Sequence, residues 1–346
     1  MKTVIKHPNW KNITFRTTKL NFLDWAIKHG GINIKISDKN YRFESKQELE
    51  ALRYSINPTM NLGSDTCYIS PEEMKSVHVK SKERIEKIEL LNGNVWNKEE
   101  LINKMYDDKF YYGELGKYAL SSSAVKQLID SPKSYQRSLN FKSDSGAFKT
   151  GRLIHIAALE PEKLETLCHV VEVQSAVTKK YKDKVAEIGS ADFVFTRKEY
   201  DKAMYTADAL LQNGVWQELT RGATFEVPGF DILHGYPFRA KADVLGFGYL
   251  ADLKTTSDLK NFKWAAKKYG YDVQVYIYCN LFKIDYKDFK FFAIDKSSGD
   301  LGIYDVSESF YESGKDKLEY ALRIFEKFFV DRTEEINEYV VTGILE

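Results

Sequence analysis

The spacing of apolar and polar residues divides the chain into a small first part and a larger second part. Residues 21–31 have helical spacing and end in glycines, which commonly follow the last residue of a helix. Residues 32–45 alternate as two strands around a polar turn. A further helix is predicted over residues 45–56, opening with a serine and a glutamate at capping-box spacing. The pattern predicts an accessory α+β domain over residues 1–105, and no motif in it indicates a role.

Residues 106–346 follow a different order: helices, then a group of strands, then helices and strands again. Within residues 119–135, the pattern predicts a helix that begins at the serines and ends before Pro132. Residues 146–164 form a second, apolar helix stopped by Pro161. The remaining segments are helical at 176–222, strand-rich at 223–255, helical at 259–282, extended at 289–295 and 301–306, and helical from Ser313. This order predicts an α/β (α+β) domain over residues 106–346, with a central mixed β-sheet flanked by helices.

Two predicted strands carry acids inside otherwise apolar runs. A tight turn between them would pair Leu245 with Leu250 and set Asp243 directly opposite Asp252. Like charges at that spacing destabilise a sheet, and a divalent cation between the carboxylates removes the conflict. Lys254 projects from the same face as Asp252, where an ammonium could orient a water or offset phosphate charge. The alternative is that the acids lie at frayed strand ends in solvent, and a turn of odd length would remove the opposition.

Composition narrows the setting more than it indicates a function. The chain has 346 residues, is 43% hydrophobic and carries a net charge of +1, so any basic surface is local. Its three cysteines, Cys67, Cys168 and Cys279, are scattered, which predicts no disulfide framework and no four-thiolate iron–sulfur cluster. No signal peptide and no apolar run of roughly 20 residues is present, so the expected location is the cytoplasm, away from membranes.

The order of several short motifs resembles one nuclease family. Asp243, followed by Asp252-Leu253-Lys254 in the next strand, resembles the PD-(D/E)xK nuclease superfamily. Residues 110–310 are similar to its RecE-type (exodeoxyribonuclease VIII) and phage exonuclease branch, akin to the RecB nuclease domain. The other matching pieces are a serine-rich opening helix, Gly151 and His155, Glu226, and Gln274 and Tyr278. Lys241-Ala242 stands where the family often has Arg-Pro, which puts one phosphate contact in doubt.

The resemblance implies a restriction-endonuclease-like core and roles for individual residues. The implied catalytic residues are His155, Glu226, Asp243, Asp252 and Lys254. Mg²⁺, with Mn²⁺ as a substitute, would be held by His155, Asp243, Asp252 and the Leu253 backbone carbonyl. Glu226 is expected to be a further ligand or a water-orienting acid. Without the resemblance, His155 on an apolar helix reads as a core histidine, and Glu226 as an exposed charge.

A second group of residues is expected to contact DNA or phosphate: Ser121, Ser122, Ser123, Arg152, Arg239, Lys241, Gln274 and Tyr278. The serines open a helix, where free N–H groups bind phosphate, although simple capping is the plainer interpretation. Arg152 could equally form a surface ion pair. Gln274 and Tyr278 share a helix face and would brace Lys254 or touch the DNA backbone.

The resulting hypothesis is a metal-dependent exonuclease, phage or prophage encoded, that degrades duplex DNA ends 5′→3′. It would leave 3′ single strands for recombination and repair through an annealing protein of the RecT or phage-annealase type. Relatives form rings, so a homo-oligomer is expected. The alternatives are an endonuclease or Cas4-like repair nuclease, and an inactive nuclease fold that only binds DNA or protein.

Overall fold

The computed structural model describes residues 32–36, 39–43, 86–140, 146–246 and 248–342. The chain separates into two compact units, Met1–Glu86 and Lys87–Glu346. In the first unit, strands β1 (Ile32–Ile36) and β2 (Lys39–Phe43) form an antiparallel hairpin, which confirms the two predicted strands. The helices predicted at 21–31 and 45–56 lie outside the described residues.

The second unit contains nine strands and twelve α-helices among the described residues. The strands are β3 Lys87–Glu89, β4 Val95–Asn97, β5 His169–Val171, β6 Val194–Thr196, β7 Thr224–Leu233, β8 Tyr236–Leu245, β9 Leu250–Thr256, β10 Phe289–Asp295 and β11 Leu301–Asp305. The helices are α1 Lys98–Lys104, α2 Leu115–Tyr118, α3 Ser122–Asp130, α4 Pro132–Asn140, α5 Gly146–Leu159, α6 Leu164–Leu167, α7 Lys179–Ile188, α8 Arg197–Gln212, α9 Gly214–Leu219, α10 Phe262–Lys268, α11 Tyr271–Phe282 and α12 Glu308–Phe325.

Five strands form the central sheet, in the order β11-β10-β9-β8-β7. Strands β9 and β10 run parallel, and every other neighbouring pair is antiparallel. The parallel pair requires a crossover, which α10 and α11 supply between β9 and β10. The mixed sheet predicted from the sequence is therefore confirmed, and the strand-rich segment begins with β7, a single strand of ten residues.

Helices cover both faces of this sheet. On one face, α3, α11 and α12 bury a cluster that includes Phe289, Phe291 and Val275. On the other face, α5, α8 and α9 bury a cluster that includes Phe292 and Ile294. Because β10 alternates between the two clusters, its side chains show the period of two expected of a strand buried on both faces.

Residues 87–119 belong to the second unit, so the contact boundary lies at Glu86/Lys87 instead of residue 105. Ile88, Leu101 and Met105 are fully buried in one cluster with Phe230 of β7. These apolar contacts could not be predicted from the sequence, because the stretch around residue 87 is mostly charged and only a few of its side chains point inward. In the described part of the chain, no helix has the length and apolar character needed to cross a bilayer.

Candidate functional site

Strand β9 places an acid and a lysine toward α11. Leu250, Asp252 and Lys254 alternate along one face of the strand, and Leu250 joins the cluster under α11. Lys254 Nζ donates to Asp252 Oδ1 at 2.7 Å and to Gln274 Oε1 at 3.1 Å. Gln274 Nε2, from α11, donates to the same Asp252 oxygen at 2.7 Å. Asp252 is only 2% exposed, so these partners are what make its burial tolerable.

The ladder between β7 and β8 is interrupted at Glu226 and Asp243. The register pairs Phe225 with Val244 and Val227 with Ala242, which leaves the two acids facing each other between those pairs. Glu226 has φ of +51°, a left-handed conformation that a non-glycine residue adopts at a cost. Such strain is typical of functional sites.

Both strands change faces at this interruption. Phe225 and Val244 pack on the side of α5 and α8, whereas Val227 and Ala242 pack on the side of α11. Because of this change of face, Glu226 and Asp243 do not follow the regular alternation of the strands. Sequence periodicity alone therefore predicts the wrong orientation for these two side chains.

The predicted hairpin register is confirmed only in part. Leu245 pairs with Leu250 and Val244 with Ala251, as expected, but the ladder then ends. Asp243 does not pair with Asp252 across the strands; its Oδ2 accepts a hydrogen bond from the Leu253 N–H at 2.7 Å. The acid that directly faces Asp243 is Glu226, because the register of β7 and β8 sets these two residues opposite each other.

Helix α5 brings a histidine to the same place. A Cβ at Gly151 would meet Thr255 Oγ1 at 3.2 Å, so the glycine permits close approach of the helix to β9. His155 lies one turn further along the helix, and its Nδ1 is 3.5 Å from Asp243 Oδ2. The Leu253 backbone beside the imidazole favours its protonated form, against the larger lowering effect of burial on the pKa of His155. The Gly-x-x-x-His spacing thus fixes the imidazole beside the acids.

His155, Glu226 and Asp243 form a group that could hold a metal ion. One donor atom from each lies within 4.8 Å of the others. Two carboxylates suit Mg²⁺ or Mn²⁺, and an imidazole nitrogen is a donor that Mn²⁺ accepts readily. The Leu253 N–H donates to Asp243 Oδ2, so the backbone of Leu253, whose carbonyl the sequence resemblance implies as a ligand, lies beside the same group. The residues therefore fit a small divalent cation.

Protonation of this group reflects burial first and repulsion between like charges second. Burial, followed by repulsion from Glu160, raises the pKa of Glu226 to about 8. Burial, with repulsion from Asp252 and Glu226, raises the pKa of Asp243 well above its ordinary value. Burial lowers the pKa of His155 to about 4, so the imidazole is neutral near pH 7 and free to act as a ligand.

Lys254 keeps its charge in a crowded setting. Burial alone would lower its pKa, but the carboxylates of Asp252 and Asp243 reverse that effect and raise it. The ammonium lies 4.7 Å from the centre of the Tyr271 ring. Lys126 Nζ, from α3, lies 5.7 Å from the same ring, and burial together with the Lys254 charge lowers its pKa to about 8.

A series of ion pairs connects Glu226 to charged residues outside the candidate metal site. Lys241 Nζ is 2.5 Å from Asp108 Oδ1 and 3.8 Å from Glu226 Oε2. Lys163 Nζ contacts Asp108 at 2.7 Å and Glu160 at 2.6 Å. Sequence reasoning missed Asp108, Glu160 and Lys163, which belong to no recognisable motif and lie far from Glu226 along the chain.

The predicted DNA-contacting residues differ in the partners that the structure gives them. Gln274 contacts Lys254, as one of its two predicted roles requires, whereas the Tyr278 hydroxyl donates to the Lys241 carbonyl at 3.0 Å. Lys241 and Arg239 are buried, and the Arg239 guanidinium lies 4.4 Å from the Tyr111 ring centre. Phosphate contacts by these buried cations stay predictions.

Ser121 and Arg152 have ordinary structural partners. Ser121 caps α3 by accepting a hydrogen bond from the Ala124 N–H at 3.3 Å, Ser122 is buried and Ser123 is exposed. Arg152 pairs with Asp192 at 3.1 Å, which is the alternative weighed for it from the sequence. Binding of phosphate by these residues stays a prediction.

Comparison with known proteins identifies the larger part of the chain. Residues 121–334 match the PDDEXK-like domain of unknown function DUF3799. A search of curated protein sequences gives no match.

A comparison with solved structures gives two matches of low identity. One is a candidate exonuclease from Eubacterium rectale, with 15% identity, coverage of 69% of this chain and 95% of that chain, and a TM-score of 0.48. The other is a phage-related exonuclease from Haemophilus somnus 129PT, with 15% identity, coverage of 50% and 95%, and a TM-score of 0.27.

Proposed function

Since this chain belongs to the PDDEXK-like family DUF3799, we propose that it is a metal-dependent DNA exonuclease. One observation carries the proposal: the donor group of His155, Glu226 and Asp243 lies beside the Asp252–Lys254–Gln274 hydrogen-bond network. A cation site next to a half-buried, charged lysine is the arrangement that phosphodiester hydrolysis needs, since charge builds on the phosphate as it is attacked.

His155, Glu226 and Asp243 would hold the metal, with the Leu253 carbonyl as a further donor. When bound, the metal supplies Lewis-acid charge to the scissile phosphate. Binding would require Glu226 and Asp243 to lose the protons that their raised pKa values favour. A ligand role for Asp252, expected from the resemblance, stays a prediction, because its carboxylate is engaged by Lys254 and Gln274.

Lys254 is the residue proposed to act on the reacting groups. Its ammonium is held by Asp252 and Gln274 and stays protonated, so it can donate a hydrogen bond to a phosphate oxygen or orient the attacking water. Gln274 acts as a positioning residue, since its amide bonds both partners of the pair.

The central experiment measures nucleotide release from end-labelled linear duplex DNA with Mg²⁺ or Mn²⁺. We expect wild type to release nucleotides and Asp243→Asn to release none above background, because the variant removes a charged donor. Absence of release by wild type with either metal would favour a binding module, and cutting of covalently closed circles would favour an endonuclease.

The finer parts of the proposal rest on the sequence resemblance. They are 5′→3′ polarity on duplex ends, a 3′ single-stranded product passed to an annealing partner of the RecT or phage-annealase type, a homo-oligomeric ring, and action in the bacterial cytoplasm. Labelling each strand end in turn measures polarity. Light scattering during size-exclusion chromatography measures the oligomer, and co-purification with an annealing protein tests the partner.

A further inference from the structure

Helix α10 presents an exposed basic and aromatic surface that the catalytic site does not use. We call it the α10 patch, and it consists of Lys260, Lys263, Trp264, Lys267, Lys268 and Tyr269. Phe262 and Ala266 face inward and are buried, which anchors the helix and directs the other face to solvent.

The aromatic side chains of the α10 patch are unusually exposed for their size. Trp264 is 62% exposed and Tyr269 is 55% exposed. Lys267 and Lys268 follow Trp264 by three and four positions, so their ammonium groups flank the indole on the helix surface. Lys263 Nζ lies 5.3 Å from the Trp264 ring centre, and Lys268 Nζ lies 5.9 Å from that of Tyr269.

The charge of the α10 patch is of one sign. Residues 259–270 contain four lysines and no aspartate or glutamate, although the whole chain carries a net charge of only +1. A cluster of lysines around an exposed indole is complementary to a polyanion that also offers flat apolar faces. Single-stranded nucleic acid has both features: phosphates for the lysines and unpaired bases for the aromatic rings.

A continuous set of ring contacts connects the α10 patch to the catalytic site. The Tyr269 and Tyr271 ring centres are 6.1 Å apart, and Lys254 Nζ lies 4.7 Å from the Tyr271 ring. Lys254 in turn contacts Asp252 at 2.7 Å. Between the proposed catalytic lysine and Tyr269 there is thus a single intervening ring, that of Tyr271, across which a bound strand can continue to the patch.

From this geometry we infer that the α10 patch binds an unpaired segment of DNA next to the scissile phosphate, with bases stacked on Trp264 and Tyr269. In a duplex the base faces are covered by neighbouring base pairs, so stacking selects the single strand. The inference rests on the proposed nuclease function for its location, but binding can be measured without cleavage.

The test is the affinity of the full chain for a fluorescent oligothymidylate of about 16 nucleotides, measured by anisotropy in EDTA so that no cleavage occurs. Loss of one stacked base weakens binding about 5-fold to 150-fold, so Trp264→Ala and Tyr269→Ala should each fall in that range. Trp264→Phe should recover most of the affinity. Tyr205→Ala is the matched control, since Tyr205 is 60% exposed on the distant helix α8.

Two further measurements separate stacking from general attraction. A blunt duplex of equal length should bind Trp264→Ala and wild type with similar affinity. Affinity falls as salt rises, and each phosphate contact to a single strand contributes about 0.7 to the steepness of that fall on logarithmic axes. The triple variant K263A/K267A/K268A should therefore make the fall less steep by about 2.

Several results would overturn the inference. They are equal affinities for Trp264→Ala and Tyr205→Ala, an equal loss for duplex and single strand, or no wild-type binding to the oligothymidylate. Release of monomers from a self-associated wild type by Trp264→Ala, with DNA affinity unchanged, would assign the α10 patch to a second copy of the chain.

Failure of this inference is distinguishable from failure of the proposed function. If wild type hydrolyses DNA with Mg²⁺ and Trp264→Ala binds single strands normally, the α10 patch inference alone is wrong. If wild type binds single strands through Trp264 and releases no nucleotides, the inference stands and the nuclease proposal is wrong.

Discussion

At the residue scale, the site depends on ionisable side chains that are wholly or partly buried and whose protonation is set by neighbouring groups. Lys254 stays protonated because Asp252 and Asp243 outweigh the effect of burial, and Gln274 fixes its direction. Glu226 and Asp243 face each other at an interruption of the ladder. Burial favours the protonated form of both, with added repulsion from Glu160 on Glu226 and from Asp252 and Glu226 on Asp243. A cation resolves the repulsion, so metal binding and protonation compete for the same carboxylates.

Replacing Lys254 by methionine tests its proposed role. The change keeps much of the side-chain volume and removes the ammonium, so we expect the turnover rate to fall about 10²-fold to 10³-fold, the usual cost of removing one donor that stabilises charge in the transition state. Affinity for duplex DNA should change little. Single-turnover cleavage and anisotropy measure the two quantities, with Lys290→Met as control, because Lys290 pairs with Asp305 away from the site. An unchanged cleavage rate would exclude Lys254 from the chemistry.

Glu226 makes stability depend on pH and on metal. Its folded pKa of about 8 lies above the ordinary 4.5, so the stability it contributes is present below about pH 4.5 and is lost as pH rises through 8. A bound cation favours the ionised form. We therefore expect Mg²⁺ to raise the melting temperature more at about pH 8.5 than at about pH 6.

Thermal unfolding followed by circular dichroism checks this dependence. Glu226→Gln should reduce the difference between the two Mg²⁺-induced shifts, because the variant has no proton to release. Equal shifts at both pH values in wild type would mean that Glu226 is not linked to metal binding.

At the element scale, the approach of α5 to β9 positions the imidazole. Gly151 meets Thr255 across this contact, and His155 lies one turn further on the same helix face. The sequence pattern Gly-x-x-x-His therefore describes a packing requirement as well as a chemical one.

Gly151→Leu tests that requirement. A side chain between helix and strand must displace one of them, and overpacking of this kind costs about 1–3 kcal/mol. We expect a lower melting temperature and weaker Mg²⁺ stabilisation, since His155 would move away from Asp243. At Gly113 an added Cβ meets nothing within 4 Å, so Gly113→Leu is the control. Equal effects of the two changes would contradict the proposed contact.

Prediction of elements from the sequence succeeded where one periodicity holds throughout a segment. Helix α5 and strands β9 and β10 lie where their apolar spacing placed them. Strands β7 and β8 were recognised, but the change of face at Glu226 was not, because alternation assumes a regular backbone. Local sequence does not signal such an interruption.

At the scale of the whole molecule, the division between units decides which residues the catalytic unit needs. The contact boundary at Glu86/Lys87 leaves Ile88, Leu101 and Met105 inside the second unit, where they contact Phe230. The earlier boundary at residue 105 would remove these side chains from the core.

Two truncations compare the boundaries. A chain beginning at Lys87 should fold and keep the metal response, whereas one beginning at Tyr106 should be destabilised or insoluble. Each buried apolar side chain contributes about 1.5–3 kcal/mol, so losing three removes a large share of an ordinary domain's stability. Melting temperatures measure the difference. Equal melting temperatures for the two chains would mean that residues 87–105 contribute nothing to the fold of the second unit.

The sequence by itself determined the sheet, its helical layers and the identity of most charged residues at the site. These follow from apolar periodicity and from the order of short motifs, both of which are local properties of the chain. It also predicted that Asp252 and Lys254 share one face of a strand and that Gln274 lies on a helix.

Only the tertiary structure decided which of these residues meet. Glu226 faces Asp243 because β7 and β8 are irregular there, and His155 joins them because a glycine lets α5 approach β9. The ion pairs of Asp108 join residues that are far apart along the chain. The connection from Tyr269 through Tyr271 to Lys254 involves tyrosines that belong to no sequence motif. Such contacts depend on the packing of whole elements, and spacing along one segment carries no information about the segment that will face it.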